Sequence, residues 1–109
     1  MDDYPAVVAW LARVLAFGHG SNSAMSAAEA IEIARAASPA ALPDEPFADA
    51  SGLQPGQRVA VSATDYGVDP VEGELLFAGG EELILARDDE RAGRVHVHFP
   101  RLGFKVEAR

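Results

Sequence analysis

The hydrophobic periodicity of this 109-residue chain changes across a proline-rich stretch, and this change limits the folds available to it. Before residue 39 the apolar residues recur at the 3.6-residue period of a helix, and after residue 51 they alternate with the period of two that is typical of strands. Pro39, Pro43 and Pro46, interleaved with alanine, indicate a semi-rigid extended linker. We therefore expect a helical segment at 1–38, a linker at 39–50 and a β domain at 51–109.

Two helices are predicted before the linker. The first covers residues 3–17, with Asp2 or Asp3 available as its N-cap. The second begins at a capping box in which Ser26 and Glu29 satisfy each other's backbone donors. Its apolar stripe is mostly alanine, so two such helices bury too little apolar surface to be stable alone. They must pack on the rest of the chain, on a second copy, or on a missing part of a larger fold.

The β domain is predicted to be a small antiparallel SH3-like β-barrel of four to five strands, which gives an α+β fold class overall. Turns rich in Gly, Asp and Pro separate the candidate strands. Closure would cover the edges of so small a sheet. The predicted strands are Arg58–Thr64, Val71–Ala78, Glu82–Asp88, Arg94–Pro100 and Phe104–Glu107.

Composition excludes some partners and favours others. Seventeen acidic residues against nine basic ones give a formal charge of -8, which disfavours nucleic acid and anionic membrane surfaces. The longest apolar run is far shorter than a membrane span, and the acidic start does not resemble an export signal. No cysteine is present, so we expect a cytoplasmic protein without disulfides or thiolate chemistry.

The most unusual polar pattern lies in the fourth predicted strand. Arg94, His96 and His98 alternate with apolar residues, so all three point to one face. Two imidazoles at this spacing can share a metal ion if a third ligand joins them, and Arg94 with Arg87 or Arg101 can bind an anion. The sequence assigns no third ligand and hence no metal site. The pattern also fits a solvated strand face, which we favour.

Tyr66 is a second candidate contact residue. It lies in the polar loop from Asp65 to Pro70, and small barrels bind peptides or nucleotides through aromatic residues on such loops. The alternative is that Tyr66 closes one end of the barrel while Asp65 and Asp69 cap turns. We favour this structural alternative.

The helical part resembles a known family. The stretch from Asp3 to Val14, with Pro5, the Trp10-Leu11 pair and a basic residue at 13, resembles the late helix of the glutathione S-transferase C-terminal domain. Its continuation, Phe-Gly-His-Gly at 17–20 and Met-Ser-Ala-Ala-Glu-Ala-Ile-Glu-Ile-Ala-Arg at 25–35, is similar to the tail that follows this helix in a bacterial subgroup. The resemblance covers about the first third of the chain by these helix limits.

The resemblance implies that the chain is a C-terminal piece of a transferase-like protein, with the barrel as an accessory module for assembly, substrate-site cover or partner binding. The thioredoxin-like domain, which in this family binds glutathione and supplies the activating residue, has no counterpart in the sequence. No catalytic residue is carried over, and glutathione is expected as a cofactor only if that domain is present. The expected partners are the rest of a larger chain or a second copy in a homodimer.

Two other hypotheses remain open from the sequence. The chain can be a free-standing binding protein that presents Tyr66, or the face with Arg94, His96 and His98, to a peptide, an anion or a metal. It can also have a purely structural role, since the small residues of the second helix permit the close approach of another helix. In both cases we expect no enzymatic activity from this chain alone.

Overall fold

The computed structural model describes residues 3–109, and its elements follow the order that the periodicity predicts. Each strand begins and ends within one residue of its predicted limits. The helices are α1 (Pro5–Leu15) and α2 (Ala27–Ala36), and the strands are β1 (Arg58–Ala63), β2 (Val71–Ala78), β3 (Glu82–Asp89), β4 (Gly93–Pro100) and β5 (Phe104–Ala108).

The strands form one antiparallel sheet in the order β4-β3-β2-β1-β5. Consecutive strands from β1 to β4 pair with each other, and β5 pairs with β1. Over residues 3–109 no pairing joins β4 to β5, which leaves both as edge strands. Two helices followed by an antiparallel β domain are therefore confirmed. A closed barrel is not, because the sheet keeps two open edges.

The sheet is nevertheless strongly curled. Its edge strands β4 and β5 are joined only by residues 101–103. In a flat sheet they would lie four strand spacings apart, about 19 Å, whereas the chain from Pro100 to Phe104 reaches at most about 14 Å. A register shift between Leu75 and Phe77 marks an irregularity that bends β2. The curl brings the edges together, and the Phe99 and Phe104 ring centroids lie 5.4 Å apart.

One face of the sheet carries the main hydrophobic core. Its centre is fully buried and is formed by Val59, Val61, Leu75, Leu83 and Leu85. The backbones of β2 and β3 approach closely at this point: a β-carbon on Gly73 would lie 2.5 Å from the carbonyl oxygen of Ala86. The sheet therefore has a core of its own.

The second half of the predicted linker packs against the sheet. The backbone N–H of Ala48 donates to the carbonyl oxygen of Ala78 at 2.7 Å. Phe47 packs on the core. The chain after Pro46 thus contributes to the β domain, while the domain limits at 38/39 and 50/51 stay predictions.

A carboxylate in this segment binds a side chain of the β4–β5 turn and so links the segment to the sheet. The Asp49 side chain, which is only 2% exposed, accepts an ion-paired hydrogen bond from Arg101 at 3.1 Å. It also accepts hydrogen bonds from the Ser51 hydroxyl and from the backbone N–H of Leu53. These interactions, led by the Ser51 hydroxyl, hold the pKa of Asp49 below its ordinary value, although burial acts in the opposite direction.

The two helix starts differ in how well the sequence predicts them. Ser26 caps α2, and its hydroxyl oxygen accepts from the backbone N–H of Glu29 at 3.1 Å, as expected. The N-cap of α1 is Tyr4, without a side-chain cap, so the prediction of Asp3 is wrong; Asp2 lies outside the described residues. Pro5 explains the difference, because the residue before a proline is held out of the helical region and becomes the cap.

The helices add little to the globular body. Helix α2 packs on β4, where Ile31 and Ala34 are half-buried, whereas α1 buries none of its residues. The radius of gyration is 19.5 Å, against about 13 Å for a compact domain of this length. In the described part of the chain, neither helix combines the length and the apolarity that crossing a bilayer requires.

Candidate functional site

Strand β4 places three of the predicted site residues on one face. Arg94, His96 and His98 stand opposite Asp88, Ala86 and Ile84 of β3, respectively. Val95, Val97 and Phe99 alternate with them, and Phe99 packs on the core. We call Arg94, His96 and His98 the β4 stripe.

Carboxylates already engage two members of the β4 stripe. Arg94 forms ion pairs with Glu74 at 3.4 Å and with Asp88 at 3.5 Å. His98 Nδ1 lies 3.2 Å from Glu82 Oε2. Because these side chains are partly exposed, each pair adds little to stability. The carboxylates also cancel much of the positive field that would attract an anionic ligand to the β4 stripe.

A small cleft lies beside the β4 stripe. It has a volume of about 200 Å³ and lies between the stripe and the end of α2, with Ala34, Ala37 and residues 38–40 on the other side. The C-terminal end of a helix carries partial negative charge, so this position disfavours an anion. The end of α2 therefore makes the cleft unfavourable for a phosphate or carboxylate ligand.

Residues 3–109 contain no set of side chains that could hold a metal ion. A zinc site needs three or four His, Cys, Asp or Glu ligands. No group of three such side chains comes together anywhere in residues 3–109. His98 and Glu82 form a pair at the sheet edge, and nothing in the described chain completes it.

Arg87 and Arg101, the other arginines that the anion hypothesis uses, do not line the cleft beside the β4 stripe. Arg101 donates to the buried Asp49 and is therefore committed to a structural ion pair. Arg87 lies with Arg94 around a neighbouring depression of about 530 Å³ on the sheet. Its lining has equal numbers of both charges, from Arg58, Arg87, Arg94, Glu72, Glu74 and Asp88. Sequence reasoning missed Glu72 and Glu74, because only the β1–β2–β3 register shows that they face these arginines.

The structure places Tyr66 apart from the β4 stripe. It lies in the β1–β2 loop and is 92% exposed. Its backbone N–H donates to Asp65 Oδ1 at 2.6 Å, so Asp65 does order the loop. At this exposure the Tyr66 ring does not close the end of the sheet, and the structural alternative for Tyr66 is wrong.

A row of exposed apolar side chains lies on α1. Val7, Trp10, Leu11 and Val14 follow the i, i+3, i+4, i+7 spacing of one helix side, and we call them the α1 face. Trp10 is 55% exposed and the other three are also exposed. Soluble helices normally bury such a stripe, so the α1 face has the character of an interface.

Comparison with known proteins finds similarity to a solved structure. The chain is similar to a solved structure, a GST-like protein from Pseudomonas syringae, with 66% sequence identity over 99% of this chain and a TM-score of 0.93. The chain spans 39% of that protein's length. No protein-family model matches the sequence, and neither does any curated protein. The predicted resemblance to a bacterial glutathione S-transferase-like protein is thus confirmed at the level of a segment.

Proposed function

We propose that this chain is the C-terminal region of a glutathione S-transferase-like protein, in which α1 and α2 belong to a larger helical domain and the sheet is an accessory module. The similarity to a segment of the GST-like protein from Pseudomonas syringae supports the parentage. The place of the segment at the C-terminal end rests on the resemblance of residues 3–14 to the late helix of the transferase C-terminal domain.

The observation that carries this proposal is the α1 face. An 11-residue helix is marginal on its own in water, and α1 buries nothing within the chain. Even so, the TM-score of 0.93 over 99% of the chain supports a similar arrangement of helices and sheet in the relative. A helix that is held in place without contacts inside the segment needs contacts outside it. The remaining 61% of the relative's length, by difference from 39%, is the natural source of them.

The sheet fits an accessory module of SH3-like barrel character. Its last strand returns beside its first, and its curl brings Phe99 into contact with Phe104 across the β4–β5 turn. An independent core supports a role as a unit added to the helical domain, for assembly, substrate-site cover or partner binding. We expect no catalysis and no glutathione binding from this chain alone, and a cytoplasmic location stays a prediction.

The size of the native protein tests the parentage. An antiserum raised against the 109-residue chain is used to probe an extract of the source cells. Since the chain spans 39% of its relative, we expect a band at about two and a half times 11.5 kDa. A band at 11.5 kDa alone would show that no larger parent exists and would remove the proposal.

The environment of Trp10 provides an independent check on the larger protein. In the isolated chain Trp10 is half exposed, so acrylamide should quench it readily. Subtracting the emission of a Trp10→Phe variant isolates its signal in the parent, where we expect a blue shift and weaker quenching. Equal quenching in the chain and in the parent would contradict the docking of α1.

A further inference from the structure

Strand β5 has an open edge. It is the last strand of the sheet and pairs only with β1, so within residues 3–109 no strand is hydrogen-bonded to its other side. The opposite edge strand, β4, is flanked: the end of α2 with Pro39 and Ala40 lines one cleft beside it, and Glu45 lines another. An uncovered edge presents free backbone donors and acceptors to a further strand. Of the two edges, β5 is therefore the more accessible.

The pairing with β1 determines which backbone groups face this open edge. The Thr64 N–H donates to the Gly103 carbonyl oxygen at 3.0 Å. Since hydrogen-bonded and non-hydrogen-bonded residues alternate along an antiparallel ladder, Lys105 and Glu107 also bond to β1. The residues between them direct their N–H and C=O groups away from β1, and no turn or loop hydrogen bond within residues 3–109 engages these groups. We call these residues the edge residues: Phe104, Val106 and Ala108.

The side chains of β5 give its two faces different characters. Phe104 and Val106 lie on the core face, and both are only partly buried against the core. Lys105 and Glu107 lie on the opposite face and form an ion pair of 3.5 Å within the strand, with about half of each side chain exposed. The strand therefore combines apolar surface that a neighbouring strand would cover with one charge of each sign.

This arrangement makes β5 complementary to a second copy of itself. In an antiparallel pair centred on Val106, Phe104 of one copy faces Ala108 of the other, and Lys105 faces Glu107. The edge residues then form the hydrogen-bonded pairs, because their backbone groups point outward. Lys105 and Glu107 form the non-hydrogen-bonded pairs, in which the α-carbons are about 4.5 Å apart and the side chains are closest. Opposite charges thus meet twice across the symmetric pair, which is favourable.

Charge also selects this register over its neighbours. Centring the pair on Lys105 would place two lysines directly opposite each other. Centring it on Glu107 would place two glutamates opposite each other and Lys105 opposite Arg109. Like charges in these positions are destabilising. A lysine on an edge strand ordinarily discourages pairing, but Glu107 makes the register centred on Val106 favourable. Charge complementarity therefore favours a second copy of this chain.

We propose that β5 is a dimerisation edge, through which two copies of this chain join by antiparallel β5–β5 pairing centred on Val106. The two sheets become one continuous sheet, and the two-fold symmetry gives both copies the same contacts. Pairing satisfies the outward backbone groups and covers more of Phe104 and Val106. Because β5 has 5 residues, the interface is small and the dimer is weak and concentration-dependent. The inference uses only β5, so it is independent of the parentage proposed above.

A dilution series of the 109-residue chain, from millimolar to micromolar concentration, tests the inference. Sedimentation equilibrium measures the stoichiometry, and amide hydrogen exchange locates the contact. We expect a monomer–dimer equilibrium in which the amides of the edge residues exchange more slowly at high concentration. The amides of Lys105 and Glu107, which already bond to β1, should gain much less protection. Association that leaves the edge residues unchanged, such as association through α1, or no association at millimolar concentration, would overturn the proposal.

Charge-swap variants test the register. Lys105→Glu and Glu107→Lys each bring like charges together and should each weaken self-association about tenfold, because the affected pair occurs twice. An equal mixture of these two variants, and the double variant, restore opposite charges and should recover wild-type association. Arg91→Glu, at an exposed position of the β3–β4 turn, changes the net charge as Lys105→Glu does and should alter association little.

Unchanged amide signals of the core residues Leu83 and Leu85 show that each variant is folded. Weakening by Arg91→Glu as large as that by Lys105→Glu would assign the effect to net charge and refute the proposed pairing. Failure of the mixture and of the double variant to recover association would refute it as well.

Discussion

The helical region and the sheet differ in where their stability comes from. The sheet fully buries six large aliphatic side chains and holds a polar anchor at Asp49, whereas α1 leaves its apolar face in solvent. From the sequence alone the family resemblance is recognisable in the helical region, although the similar solved structure covers 99% of the chain. The difference teaches that the part of a chain that reveals its parentage need not be the part that folds independently.

The largest expected effect is on the free energy of unfolding. It distinguishes the sheet, which has a buried core, from α1, which has none. Replacing Leu85, which is fully buried, by alanine should destabilise the sheet by about 2–5 kcal/mol because it leaves a cavity. The same change at Leu15 on α1, which is exposed, should alter stability by less than about 0.5 kcal/mol. Urea unfolding followed by circular dichroism near the strand band measures both. Equal losses would mean that α1 belongs to the same cooperative core.

An intermediate effect is expected at Asp49, where the linker meets the sheet. Asp49→Asn removes the charge that Arg101 needs and should destabilise the sheet by about 1–3 kcal/mol. The exposed Asp44→Asn, from the same linker, is the matched control and should be neutral. Urea midpoints at pH 7 compare the two variants. A loss for Asp44→Asn as large as that for Asp49→Asn would show that the buried position has no special role.

The same carboxylate predicts a pH dependence. The pKa of Asp49 is lower in the folded chain than in the unfolded one, so the unfolded chain binds its proton first as the pH falls. The stabilisation by Asp49 is present in full above the unfolded pKa of about 4 and is lost as the pH falls through the folded pKa. The stability difference between the wild type and Asp49→Asn should therefore shrink below about pH 4. A difference that stays constant down to pH 2 would contradict the assigned ion pair.

A smaller and local effect is expected at the start of α2. Ser26→Ala removes a capping hydrogen bond worth about 1 kcal/mol to the helix. Since α2 packs only lightly on β4, helicity near 222 nm should fall while the urea midpoint of the sheet stays unchanged. Ser23→Ala, just before the cap, is the control. A matching fall in the sheet midpoint would show that α2 is part of the β domain.

The features that the sequence predicts well are local ones. Strand limits follow from alternation, and the Ser26 cap follows from a short motif, because both depend on neighbouring residues alone. The open edges of the sheet, the ion pairs between Arg94 and its carboxylates, and the burial of Asp49 depend on strand register and curl. Contacts between residues far apart in sequence, such as 49 with 101, leave no periodic signal.

The candidate site shows the same division. Alternation correctly places Arg94, His96 and His98 on one face. It does not show that Glu74, Asp88 and Glu82 neutralise that face, or that the end of α2 covers it. Tyr66 is recognisable as a loop aromatic, but its almost complete exposure is seen only in the folded chain.

Hydrogen exchange of the isolated 109-residue chain tests most directly whether α1 lacks stabilising contacts within the chain. Exchange reports local opening free energies residue by residue. We predict that backbone amides of α1 exchange almost as fast as an unfolded peptide, while those of Leu75, Leu83 and Leu85 exchange only through global unfolding. Protection of α1 equal to that of β3 would contradict the account, because the helix would then be stabilised within the chain and would need no larger protein.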